Sequence, residues 1–297
     1  MKTVFIGGTG RCGTNLLKEI FSFHSQVATL PFEQRFIIDP DGIIDTYISM
    51  KSMWSPFVID KKIKRLEKLL ENVSYDKFFQ KLIAKILRWI DESGKLISPH
   101  KYIGWELNKY FPNFAIRNDM LISDLCDFYY DGVYPGTESY SVVSTIRHNA
   151  PMPDEDLVGI FRHYLNNVIG DFLKSQEKNY FVDDNTWNIF FARELLEILP
   201  DSKIVCIKRD RDNTVQSMLT QRWCPNHIDI LESWYTTMVA YWNKIKKDLP
   251  PDSFCEVCFD ELVVHPRFEI LKLCEFIDIP FEESLLKVEF DESKVKK

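Results

Sequence analysis

Four glycines and an arginine fall within seven residues, Gly7-Gly8-Thr9-Gly10-Arg11-Cys12-Gly13, with Thr14 and Asn15 directly after. Glycine carries no Cβ, so backbone built from it can come close to a ligand. The β-prone run Thr3-Val4-Phe5-Ile6 in front reads as a strand, and the amphipathic Asn15–Phe23 behind reads as a helix. A helix start presents unpaired N–H groups and the positive end of its dipole. The chemistry that suits this stretch is the holding of a phosphate, or of a group shaped like one. Gly8 and Gly13 have P-loop spacing, but Thr14 stands where that loop needs lysine, which disfavours a nucleoside triphosphatase. Gly8, Gly10 and Gly13 also fit the dinucleotide fingerprint, with Glu33 near its acidic position.

Other residues could act with this loop. Glu33 and Arg35 follow the short strand-like run Gln26–Leu30, which places them at the carboxyl end of a strand, where open parallel sheets bind ligands. Arg209 closes the apolar run Ser202–Ile207, and Ser217 lies on the helix expected over Asp210–Trp223. A guanidinium offers a planar fork of donors and serine adds a hydroxyl, a pair suited to an anion. Arg147 and His148 fall in a Gly-, Pro-, Ser- and Thr-rich stretch, 131–153, expected to be a long loop over the cleft, where they would meet an acidic acceptor.

The elements that must position these residues follow α/β grammar. Strand patterns over Thr3–Ile6, Gln26–Leu30, Tyr180–Asp184, Ser202–Arg209 and Phe254–Phe259 alternate with helical patterns. That implies a parallel central sheet flanked by helices on both faces. A further strand is expected at Lys101–Glu106. Between the second and third of the strong strands the pattern is helical, with apolar periodicity at Leu66, Leu69, Leu70 and Val73, again at Phe78, Leu82, Ile86 and Trp89, and in helices over Pro112–Tyr129 and Asp154–Lys178. Residues 1–297 are therefore expected to form a single domain, with 40–179 as a mostly helical insertion that builds an acceptor pocket.

The net charge of −7 disfavours a general nucleic-acid binder, so an anionic ligand must be met by a local basic site. No leader and no membrane span is legible, and seven scattered cysteines suit free thiols in a reducing compartment, so a cytoplasmic location is expected. Cys255 and Cys258 form a lone Cys-x-x-Cys in an apolar run and are expected to pack in the core, and no metal-ligand cluster is evident.

Gly8-Thr9-Gly10-Arg11-Cys12-Gly13-Thr14-Asn15-Leu16-Leu17 resembles the 5′-phosphosulfate loop of sulfotransferases, Gly-x-x-Arg-x-Gly-Thr-x-Leu-Leu, at every specified position. Arg209-Asp210-Arg211-Asp212-Asn213-Thr214-Val215-Gln216-Ser217 is similar to that family's Arg-Asp-Pro-x-Asp-x-x-x-Ser, with Arg211 for proline and Asn213 for the second aspartate. Asp184–Asn188, Gln221–Pro225 and Phe259–Val263 resemble further family segments. A C-terminal Arg-Lys-Gly segment found in animal cytosolic members has no counterpart. The resemblance implies the P-loop-like sulfotransferase fold and 3′-phosphoadenosine 5′-phosphosulfate (PAPS) as co-substrate, with adenosine 3′,5′-bisphosphate (PAP) as product and no metal. It implies that Gly8 to Asn15 hold the 5′-phosphosulfate, with Arg11 catalytic. It also implies that Arg209 and Ser217 hold the 3′-phosphate and that Glu33 is the base, for a small-molecule, glycan or lipid acceptor. A nicotinamide-dependent reductase is the alternative, but Tyr47-x-x-x-Lys51 comes too early for its catalytic pair and Arg209 and Ser217 are left without a task. A non-catalytic nucleotide-binding protein of the same fold is the third reading.

Overall fold

The strand that opens the chain lies at the centre of the main sheet. In the computed structural model, which describes residues 2–75, 86, 102, 105–134 and 143–288, β1 (Lys2–Gly8) is buried from Thr3 onward. It is flanked by β5 (Tyr180–Asp183) and β6 (Lys203–Lys208), both parallel to it. β2 (Val27–Thr29) lies outside β5 and β7 (Phe254–Cys258) outside β6, giving the all-parallel order β2-β5-β1-β6-β7. The chain thus builds one side of β1 and then crosses to the other. That reversal of direction is where open α/β sheets hold ligands, at the carboxyl ends of the strands.

Pleat alternation explains the core on one face. Val4 and Ile6 of β1 and Val205 and Ile207 of β6 pack with Leu17, Ile20 and Phe21 of α1 (Thr14–Ser22). The C-terminal helix Pro266–Ile277 adds Ile270, Leu273 and Ile277 to the same cluster.

The chain forms two compact units, Met1–Glu33 with Gln176–Lys297, and Gln34–Ser175. The second holds α2 (Ile43–Ser52), α3 (Pro56–Ser74), α4 (Phe114–Asp124) and α5 (Asp154–Gln176). Its core is aromatic: the Phe36 ring meets Phe111 at 5.9 Å, Phe114 at 5.2 Å and Tyr164 at 6.5 Å, all edge-on. Three acidic residues, Asp154, Glu155 and Asp156, occupy the first turn of α5 and complement its dipole.

Several boundaries differ from expectation. The stretch 131–153 is not simply a loop: β3 (Phe128–Gly132) and β4 (Ser144–His148) pair antiparallel within and just before it. Of these ten residues only Ile146 is buried, so the strands lack the apolar alternation that would mark them. The helix expected over Pro112–Tyr129 runs only over Phe114–Asp124, and β3 takes Phe128 and Tyr129. The segment from Asn185 is a 3-10 helix over Thr186–Phe191, and α6 (Ala192–Ile198) follows it. The helix after β6 is short, α7 (Arg211–Leu219), and ends in a turn before α8 (Ile228–Ile245). The second helical pattern, apart from Ile86, lies outside the described residues. So does most of 101–106, whose described members Tyr102, Trp105 and Glu106 are not in a strand.

Candidate functional site

Between β1 and α1 the backbone takes the left-handed region three times, at Gly10 (φ 88°), Arg11 (φ 52°) and Gly13 (φ 105°). Only glycine adopts such values freely. The glycines are also required sterically. A Cβ on Gly13 would lie 2.4 Å from the Phe259 ring, and one on Gly10 would lie 3.1 Å from both the Trp223 ring and the Met218 methyl. α1 then starts with no side-chain cap from Gly13 and no carboxylate in its first turn, so no negative charge of the first turn opposes an anion there. The Thr9 hydroxyl beside it is buried with no hydrogen-bond partner. The Cys12 side chain is enclosed by the loop. Burial pushes its thiol pKa up, more than the nearby backbone N–H groups of Gly10, Thr9, Cys12 and Thr14 draw it down.

Arg11 Nε donates to Ser217 Oγ at 3.0 Å. A serine that accepts in this way keeps its own proton to donate. Arg209 Nη1 donates to the Arg11 carbonyl at 3.4 Å, and the Arg209 guanidinium lies 5.2 Å over the Phe259 ring. The Tyr235 hydroxyl donates to the Arg209 carbonyl at 3.2 Å. Burial lowers the Arg209 pKa, against the opposing pull of Asp260. The loop, Arg209 and Ser217 are therefore one connected arrangement of two cations and several backbone donors.

The local sequence explains the placement. Asp210 is the N-cap of α7, its side chain accepting from Asn213 N at 3.0 Å. Arg211 then occupies the first helical position, where proline is merely favoured and another residue serves. The Arg211 guanidinium is taken up by Glu232 at 2.8 Å. The departures from the Arg-Asp-Pro-x-Asp pattern thus fall at positions that start the helix.

Glu33 lies past the end of β2, half-buried, at the boundary of its unit. Arg35, Arg147 and His148 belong to the 34–175 unit, and each has a carboxylate of that unit beside it. Arg35 Nη1 is 3.6 Å from Asp39 Oδ1, Arg147 pairs with Glu67, and His148 Nδ1 is 3.5 Å from Asp127 Oδ2. His148 also stacks on Phe128 at 4.4 Å. A buried pair that sequence reasoning missed lies under α1: Lys18 Nζ sits 3.0 Å from Asp184 Oδ2. The signal for it was a lysine one turn into α1 and an acidic residue closing an apolar strand. Of the Cys-x-x-Cys pair, Cys255 packs on the core but Cys258 is exposed, so the expectation of a packed pair fails at Cys258. No group of three or more metal-ligating side chains occurs among the described residues, and no helix there is long and apolar enough to cross a membrane.

The sequence model of the sulfotransferase family matches residues 132–283, just over half of the chain and the stretch that carries Arg209 and Ser217. The chain belongs to the sulfotransferase family. A curated relative, the protein-tyrosine sulfotransferase of Drosophila melanogaster, is 26% identical over 99 residues, covering 31% of this chain and 19% of that protein. The match spans about a fifth of that relative's length. Among solved structures, the sulfotransferase domain of the Synechococcus PCC 7002 olefin synthase is similar with a TM-score of 0.47 at 14% identity, over 96% of this chain and 76% of that one. The sulfotransferase domain of the curacin biosynthetic pathway is similar with a TM-score of 0.44 at 15% identity, with the same coverages of 96% and 76%.

Proposed function

We propose that the protein transfers a sulfonate group from PAPS to a hydroxyl or amine acceptor by in-line displacement. The observation that carries this reading is the convergence of Arg11, Ser217 and Arg209 on one glycine loop. The donor fits what the loop offers: a helix start with no side-chain cap and no first-turn carboxylate, the unpartnered Thr9 hydroxyl, and a wall too tight for any Cβ at Gly13. Bound there, it supplies an activated sulfonate on a phosphate leaving group.

The chain's own groups do the rest. The first-turn N–H groups hold the 5′-phosphate, and Arg209 with the Ser217 hydroxyl holds the 3′-phosphate. Arg11 meets the charge that grows on the sulfonate and bridging oxygens as the sulfur–oxygen bond to phosphate breaks. Glu33 takes the proton of the acceptor as its new bond to sulfur forms. The 34–175 unit supplies the acceptor pocket, with Arg35, Arg147 and His148 as candidate contacts, and the acceptor is a small molecule, glycan or lipid. The reaction takes place in the cytoplasm.

Incubation with PAPS labelled in the sulfonate, over a panel of phenols, alcohols, sugars and amines, tests this directly. Labelled product with release of PAP is expected. Failure to bind PAP and to transfer label to any acceptor overturns the reading.

A further inference from the structure

The β3–β4 hairpin of the 34–175 unit has one covered edge and one open one. Arg147 N donates to Asp60 Oδ1 of α3 at 2.8 Å, so on β4 this residue turns its backbone away from β3. In an antiparallel pair, residues in register that do not bond each other point their N–H and C=O groups outward on both strands. Arg147 is in register with Tyr129, and Thr145 with Asp131. Tyr129 and Asp131 therefore present two N–H and two C=O groups along the outer edge of β3. No partner for these groups occurs among the described residues.

Little on β3 blunts this edge. The strand carries no lysine and no proline, the usual guards against further pairing. Its single charge, on Asp131, already accepts from the Thr145 hydroxyl at 3.1 Å. Phe128, Tyr129 and Tyr130 are 51%, 50% and 39% exposed, so rings stand uncovered on both faces. With Val133, Tyr134 and Val143 beside the strands also exposed, the hairpin offers roughly 500 Å² of apolar surface, the lower end of what each side of a specific interface buries.

We propose that β3 pairs antiparallel with β3 of a second copy of this chain, about a two-fold axis at Tyr130, giving a continuous sheet β4-β3-β3-β4. The sequence of β3 suits itself. Edge-facing residues must meet edge-facing residues, and only three symmetric registers then overlap by more than one residue of the strand. Centred on Asp131, the two Asp131 carboxylates oppose each other. Centred on Tyr129, Asp127 opposes Asp131. Like charges directly opposite are destabilising. Centred on Tyr130, Tyr129 faces the second copy's Asp131, Phe128 faces its Gly132 and Tyr130 faces itself. This register alone uses all of β3, opposes no like charges and closes both outward pairs with backbone hydrogen bonds. The small apolar area makes the pair reversible, forming as concentration rises.

Sedimentation equilibrium of the full chain, from micromolar to submillimolar concentration, should show a monomer–dimer equilibrium. Tyr129→Pro removes one outward N–H per copy and leaves the bonds to β4 in place. It should weaken the dimer about tenfold or more, with an unchanged circular dichroism spectrum. Tyr130→Cys sets two thiols across the axis at a non-hydrogen-bonded pair, with Cα atoms about 4.5 Å apart, within reach of a disulfide. Under mild oxidant this variant should form a covalent dimer. Phe128→Cys, set opposite Gly132, should crosslink no more than wild type. A chain that stays monomeric throughout, a dimer indifferent to Tyr129→Pro, or equal crosslinking of the two cysteine variants overturns the proposal. Should Tyr129→Pro fail to fold, the crosslinking pair decides alone.

Discussion

The Arg11 guanidinium is tied to the Ser217 hydroxyl, 3.0 Å away in space and 206 positions away in the chain. The bond joins the loop after β1 to the helix after β6, the two elements that meet because β6 lies beside β1. Arg11 pays for that position with a left-handed backbone at φ 52°. Arg11→Gly relieves this strain, worth about 1 kcal/mol, while losing one hydrogen bond of similar size. Urea unfolding should therefore shift by no more than about 1 kcal/mol, while transfer falls on the order of a hundredfold or more. Full turnover in that variant would remove Arg11 from the chemistry.

Arg209→Ala should separate two nucleotides. A hydrogen bond to a charged group contributes about 1.5–3 kcal/mol, or roughly tenfold to a hundred-and-fiftyfold in affinity. Wild type should prefer PAP to 5′-AMP by at least that factor, and the variant should lose the preference while keeping its AMP affinity. Calorimetry with both ligands reads this out, and equal wild-type affinities would leave Arg209 without a 3′-phosphate to hold.

Glu33→Gln keeps the side chain's size and removes its basicity. PAP should bind as before while transfer drops by roughly a hundredfold or more. A variant that transfers at the normal rate would move the base to another residue.

Gly13→Ala tests the closed wall. The new methyl would meet the Phe259 ring at 2.4 Å at a residue with φ 105°. Overpacking and backbone strain together should destabilise the protein by at least about 2 kcal/mol. Gly13→Ala with Phe259→Ala should recover part of this loss, and an unchanged denaturation midpoint in the single variant would contradict the contact.

A pH dependence follows from Glu256 on β7. Burial alone would raise its pKa, but bonds from Lys208, Lys246 and the Trp242 indole outweigh that and hold it below the ordinary 4.5. A depressed carboxylate contributes stability that is complete above its unfolded pKa and is lost as pH falls through the folded value. Glu256→Gln should therefore lower the melting temperature at neutral pH and flatten the decline of stability below about pH 4.5. Parallel acid limbs in variant and wild type would mean that the cluster contributes nothing there.

The parts of this protein legible in its sequence are those written in adjacent residues. The run from Val4 through Asn15 announces a strand, a loop and a helix. Arg209 and Ser217 stand at a spacing fixed by one strand end and two helical turns. The strands β5 and β6 are apolar because both faces are covered. By contrast, β3 is exposed at Phe128, Tyr129, Tyr130 and Asp131, so no burial pattern marks it. Phe259 against Gly13 and Trp223 against Gly10 were equally hidden. Each joins segments more than two hundred residues apart, and strand order, not local spacing, brings them together. The Lys18–Asp184 pair left a trace in each segment, but only the strand order, with β5 beside β1, brings the two together.

The central place of β1 also sets a timetable for synthesis. β1 is made before both its neighbours, β5 and β6, which emerge roughly 180 and 200 residues later. At about 5–20 residues per second, it waits on the order of 10–40 s on the ribosome without a strand on either side. The unit 34–175 is contiguous and complete before β5 appears. Its helices can close while Val4, Phe5 and Ile6 remain unpaired, in a form open to capture by a chaperone or by another nascent chain.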